Sequence, residues 1–250
     1  MRVFISTISL FFLSLTLLGQ VNDANAFFSG NYDKSFIHTT KIRQVVIEVF
    51  IQGENSSKHV LDFDKTGLLS KQTILDSSGK KVNEYFFIYN RQADQVERKN
   101  IDYQLNKTFT ARFDKTYNEA LLIKESSSEF PYSTEHRYNS KKQRIESVSI
   151  LGADSTTAAK SIKLFKYEED GRLIGTEVLY KQIGQEATTI EKCTYLYNAE
   201  GKVITIKRDN SPDYQFSYNK NGLLNSTRVK MPEDLSSLEI LDKYSYSFWE

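Results

Sequence analysis

Apolar and polar positions alternate along most of this chain. In "LFKYEEDGRLIGTEVLYK" (164–181), Phe165 and Tyr167 stand one residue apart, and acids, a glycine and an apolar pair follow. "YLYNAEGKVITIK" (195–207) and "FSYNKNGLLNSTRVK" (216–230) repeat the line. A step of two keeps a strand residue on the same face, so Phe165/Tyr167, Tyr195/Tyr197 and Phe216/Tyr218 each line one face of a strand. The acid or amide that follows caps its own backbone and starts a turn, and the glycine four places after the aromatic accepts the positive φ that closes it. Each line therefore predicts a β-hairpin.

The spacing is the same in four copies. Tyr167, Tyr197, Tyr218 and Phe63 are followed four places on by Gly171, Gly201, Gly222 and Gly67, and six places on by Leu173, Val203, Leu224 and Leu69. Weaker copies start at Tyr89, Phe113 and Tyr138, where Ala93, Tyr117 and Lys142 replace the glycine. These three hairpins are expected to be less regular, with non-glycine residues strained in the left-handed region. Repeat starts thus fall near 63, 89, 113, 138, 167, 197 and 218. Tyr32-Asp33 reads as a degenerate copy, and Tyr244, Tyr246 and Phe248 as the front half of another. "KIRQVVIEVFIQG" (41–53) reads as a strand. "PEDLSSLEILDKY" (232–244) carries leucines at helical spacing and is open to a short helical reading.

The N-terminus departs from this pattern. Arg2 precedes an apolar run from Val3 to Leu18, and a polar stretch leads to Ala24-Asn25-Ala26. This order predicts a secretory signal peptide over 1–26, cut after Ala26, because the run is shorter than the ~20 residues that span a bilayer. The expected mature chain, 27–250, is a single exported domain, periplasmic or secreted, with no transmembrane segment after cleavage.

Composition sharpens the strand reading. There are 16 Phe and 15 Tyr against 3 Pro. The formal net charge of +1 gives no reason to expect nucleic acid as a partner. Cys193 is the sole cysteine, which excludes an intramolecular disulfide, and its place in an alternating run predicts a buried small side chain.

The line aromatic-x-Tyr-(Asp/Asn)-x-x-Gly-(Arg/Lys)-Leu/Val resembles the YD repeat of RHS-type proteins, with "YEEDGRLI" and "YNAEGKVI" the nearest matches. The resemblance covers most of residues 60–230 in short pieces. It implies an all-β fold, a single elongated or curled antiparallel sheet of successive hairpins. It assigns Tyr167, Tyr197 and Tyr218, with Gly171, Gly201 and Gly222, structural roles. Seven or eight repeats are expected to be too few to close a shell.

Chemistry is sparse. His38, His59 and His136 are dispersed, and no nucleophile elbow, phosphate loop or dinucleotide fingerprint occurs. No metal site or cofactor is expected. His136 reads as a strand residue in an aromatic slot. The candidate binding surface is the aromatic face of Phe165, Tyr167, Tyr195, Tyr197, Phe216 and Tyr218. Two readings are open: these rings pack against one another, or they present a surface to a protein or glycan partner. Gly67, Gly171, Gly201 and Gly222 are expected to close turns. The function expected is non-enzymatic binding or scaffolding in the envelope or outside the cell. The alternative is an envelope glycan hydrolase using paired carboxylates.

Overall fold

The structure, a computed structural model, describes residues 34–250 except 91, 93, 120, 128–130, 153–158, 182–185, 210 and 231–238. The signal peptide expected over 1–26 and the copy at Tyr32-Asp33 lie outside the described residues.

Helix α1 (Lys34–Thr39) precedes sixteen strands: β1 (Ile42–Ile51), β2 (Glu54–Phe63), β3 (Leu69–Asp76), β4 (Lys81–Tyr89), β5 (Gln95–Asp102), β6 (Lys107–Asn118), β7 (Leu121–Ser127), β8 (Tyr132–Tyr138), β9 (Arg144–Leu151), β10 (Ala159–Tyr167), β11 (Leu173–Lys181), β12 (Thr188–Tyr197), β13 (Val203–Arg208), β14 (Asp213–Tyr218), β15 (Leu224–Lys230) and β16 (Glu239–Phe248). Each strand pairs antiparallel with its sequence neighbours, and β1 pairs with β16. The sheet is a closed barrel.

Closure corrects the expectation of a single elongated or curled open sheet too short to close. The seam is extensive, running from Ile42 opposite Phe248 to Ile51 opposite Ile240. Twisted open sheets rarely exceed about ten strands without curling or splitting, and an open sheet leaves two rows of unpaired backbone groups. Here the first and last strands satisfy each other. The stretch open to a helical reading is strand from Glu239 onward, because Tyr244 and Tyr246 alternate inward beside β1.

The repeat turns share one geometry. Asp64 N donates to Leu68 O and Gly67 N to Asp64 O, and the same pair of bonds recurs at 139–143, 168–172, 198–202 and 219–223. A register shift accompanies each turn, beside Phe63, Tyr138, Tyr167, Tyr197 and Tyr218. Gly67, Gly171, Gly201 and Gly222 have φ of 83°, 94°, 77° and 77°. Lys142 adopts φ 60° in the same turn without glycine.

The copy expected at Phe113 is displaced. Phe113 lies within β6, and the chain reverses after Tyr117-Asn118, with Glu119 at φ 47°. Strand pairing with β5 from Gln95 opposite Asp114 carries the strand past the apparent turn signal. At 76–80 the same bond pair, closed by Gly79, serves the opposite end of the barrel.

One face of the strands is sealed. Ile42, Val45, Ile47, Leu61, Phe63, Leu69, Leu173, Val203, Ile206 and Leu224 form the inner core, with Ile47 only 1% exposed. Ile37 of α1 joins this cluster. The helix sits at the end that carries the repeat turns, where His38 Nδ1–H donates to Lys65 O (2.9 Å) and Trp249 N to Lys41 O (2.8 Å).

Candidate functional site: the inner wall and its tyrosine row

The repeat tyrosines link neighbouring hairpins. Tyr167 OH donates to Arg144 O, Tyr197 OH to Leu173 O, Tyr218 OH to Val203 O and Tyr246 OH to Leu224 O, at 2.6–2.8 Å. Tyr138 OH reaches Leu122 O in the same way. Each acceptor on 144, 173, 203 and 224 belongs to the residue six places after the preceding repeat aromatic. A phenol is the aromatic that both fills an apolar slot and delivers a donor at its tip, which explains tyrosine over phenylalanine. Burial raises Tyr167 to about 12 against the opposing Arg144 charge, so the phenol stays a donor.

The other aromatic of each pair lies deeper. Phe165, Tyr195 and Phe216 are 8%, 3% and 6% exposed and belong to the core cluster. Tyr167, Tyr197 and Tyr218 are half-buried at its rim. All six therefore face the interior, and none presents an open ring ladder to solvent.

The inner wall also carries charge that sequence reading did not single out. Lys163, Glu191 and Asp242 are buried there, and Arg208 bonds Glu191 through Nε and a terminal nitrogen. Burial holds the Lys163 amine down to about 7, with Cys193 and Glu191 acting against it and Arg144 with it. Burial pushes the Asp242 carboxyl up to about 7. Cys193 is buried and free, and burial raises its thiol. His136 donates or accepts at Ser147 Oγ (2.8 Å), and burial, then Arg144, lowers it to about 3. His59 falls to about 4 through burial alone. A period-2 signal for Lys163 existed, since it shares the face of Phe165 two places on, but a strand lysine ordinarily reads as solvent-facing.

The outer wall is different. Glu48 stands opposite Lys58, Glu97 opposite Arg112, Lys124 opposite Glu135, Arg137 opposite Glu146, and Glu177 opposite Lys192. These pairs close at 3.7, 3.6, 3.2, 2.8 and 3.6 Å. Each lies on the face opposite the buried residues, as Glu48 beside Ile47 and Glu177 between Thr176 and Val178 show. Glu84 is wrapped by Lys71, Lys81 and Tyr103. Burial would raise its carboxyl, but those partners bring it to about 2. Exposed apolar residues, among them Ile88, Leu164, Leu196 and Ile204, also stand on this wall.

Among the described residues, no group of His, Cys, Asp and Glu could hold a metal ion. A shallow cleft at the far end is lined by Phe50, Gly53, Glu239, Leu241 and Lys243.

No known protein family matches the sequence, and no curated protein does. Among solved structures, a porin-like protein from Bacteroides uniformis ATCC 8492 is similar, with TM-score 0.52 at 10% identity over 83% of this chain and 97% of that one. At that identity the likeness shows the fold alone, a closed antiparallel barrel. A TcdB2-TccC3-TEV structure aligns with TM-score 0.25 at 12% identity, over 70% of this chain and 12% of that one, which carries no argument about this chain. The likeness to YD repeats thus stays one of turn motif. No helix among the described residues is long and apolar enough to cross a membrane, a statement that does not bear on strands.

Proposed function

We propose that this protein is an exported, non-enzymatic β-barrel that works in water, as a binding or scaffolding module of the cell envelope or exterior. The carrying observation is the row of directly opposed ion pairs on the outer wall. A lipid-facing barrel wall is an apolar band, and Lys or Arg at its midplane costs about 2–4 kcal/mol each. In this barrel the apolar core faces inward, together with a few buried charged groups such as Glu191, Arg208 and Asp242, while the outer wall carries opposed ion pairs where a porin wall carries an apolar band. The porin-like neighbour supports the barrel and an envelope setting.

Non-enzymatic function is supported by the placement of the carboxylates. Glu191 is held by Arg208, Glu84 by two lysines and Glu239 by Arg228. The cleft at the far end carries one carboxylate, Glu239, which Arg228 binds, so it offers the glycan-hydrolase alternative no pair.

Fractionation of expressing cells tests this reading. Full-length protein should be processed to a chain beginning at Phe27 and be recovered in the soluble exported fraction without detergent. Recovery only from detergent-solubilised membranes would overturn the water-facing wall.

A further inference from the structure

Four buried hydrogen-bond donors on the inner wall between β9 and β12 have no protein acceptor. They are Lys163 Nζ, Arg144 Nε, Thr176 Oγ1 and Tyr195 OH. Lys163 is 2% exposed, Thr176 5% and Tyr195 3%. The strands bring them together by register: Phe165, two places from Lys163, stands opposite Thr176, and Thr176 stands opposite Cys193, two places from Tyr195. The Thr176 hydroxyl is close enough to act on both Tyr195 and Cys193, yet neither Thr176 Oγ1 nor Tyr195 OH completes a protein hydrogen bond. Lys163 has the Phe165 ring 5.3 Å away.

Charge is unpaired in the same place. Arg144, Lys163 and Arg208 gather near the Glu191 carboxylate, and among the described residues no carboxylate forms an ion pair with Lys163 or Arg144. Two Arg208 nitrogens converge on Glu191 Oε1, and Lys163 Nζ makes no hydrogen bond to that carboxylate. Cys193 does not supply a thiolate, since burial keeps its thiol protonated. A buried ammonium without a counter-charge is costly, and donors without acceptors add to that cost.

We propose that this stretch of inner wall is a binding site for a carboxylate-sized anion, held by Lys163 Nζ and the Thr176 and Tyr195 hydroxyls, with Arg144 adding the second positive charge. The anion supplies the missing acceptors and the missing charge together, as charge-assisted bonds that are strong where water is scarce. The inference deepens the binding reading by naming a ligand class. It does not depend on whether the outer wall meets water or lipid.

The experiment is titration of the full exported chain with ¹³C-acetate, followed by NMR at constant ionic strength set with chloride. Wild type should show one saturable site. Lys163→Met should bind acetate at least tenfold more weakly, and Tyr195→Phe several-fold more weakly. In acetate-free buffer Lys163→Met should melt at or above wild type, because it removes an uncompensated buried ammonium, and acetate should raise the melting temperature of wild type alone. Absence of a saturable site in wild type, or equal affinity in Lys163→Met, overturns the proposal. Should Lys163→Met fail to fold, the wild-type titration and Tyr195→Phe still decide: unchanged affinity in the latter removes the hydroxyl from the site. Membrane fractionation of the protein would refute the wall reading while leaving this titration, run in detergent, unaffected.

Discussion

The Tyr197 hydroxyl donates to the backbone carbonyl of Leu173 at 2.6 Å, across a separation of 24 residues. It links the hairpin of β12 and β13 to the one before it, at a place where the bulge beside the turn loosens strand pairing. The same bond recurs from Tyr138, Tyr167, Tyr218 and Tyr246.

Removing one such hydroxyl should cost about 1 kcal/mol, because it leaves a rim carbonyl short of a donor without opening a cavity. Tyr197→Phe and Tyr218→Phe should each lower urea stability by that amount. The acceptor of Tyr218, Val203, stands directly opposite Tyr197 in the β12–β13 hairpin, so the two losses should couple in the double variant and not simply add. No loss in either single variant would show that water replaces the phenol at no cost.

Turn strain should have opposite signs at two equivalent positions. A Cβ added at Gly201 would meet open space, but φ there is +77°, so Gly201→Val should destabilise by roughly 1–3 kcal/mol through backbone strain alone. Lys142 sits at φ 60° with an exposed ion pair to Glu119 at 3.0 Å. Lys142→Gly should be neutral or stabilising by up to about 1 kcal/mol. Equilibrium unfolding of both variants checks the contrast, and a costly Lys142→Gly would refute it.

Barrel closure predicts a specific cross-link. Val46 and Ser245 are direct partners across the β1–β16 seam, within the Cα separation a disulfide accepts. Val46→Cys with Ser245→Cys, in a Cys193→Ala background, should oxidise within the monomer and migrate faster on a non-reducing gel. An open sheet would give free thiols or disulfide-linked dimers.

Asp242 should make stability depend on pH in an uncommon direction. Its folded pKa of about 7 lies above the ordinary 3.8. Its contribution is therefore complete below pH 3.8 and is lost as pH rises through 7. Asp242→Asn keeps the size without the charge, so it should be close to wild type near pH 4 and more stable by about 1–3 kcal/mol at pH 8. His59 and His136, lowered to about 4 and 3, act in the other direction, losing their contribution as pH falls from 6.5. They are present in both proteins and cancel in the difference. Denaturant melts at the two pH values check this, and an equal gain at both would exclude titration of Asp242.

The chain by itself determined the local units. Strand alternation, Asx-led turns and glycine positions are short-range properties, each fixed by steric and hydrogen-bonding demands within about five residues, so the hairpins at 63–69, 167–173, 197–203 and 218–224 were legible. The displaced turn at Tyr117-Asn118 was not, because pairing between Gln95 and Asp114 outweighed a local signal that lacked glycine. The sequence also held both the tyrosine and the residue six places on, without showing that the phenol of one repeat binds the backbone of the repeat before it. Closure was decided only in three dimensions. It depends on twist summed over sixteen strands and on the match between Ile42–Ile51 and Glu239–Phe248, which are nearly the whole described chain apart. The same holds for the inner wall. Alternation says that Lys163 and Phe165 share a face, but only the closed barrel makes that face the inside, where a lysine left without an acceptor becomes a place for an anion.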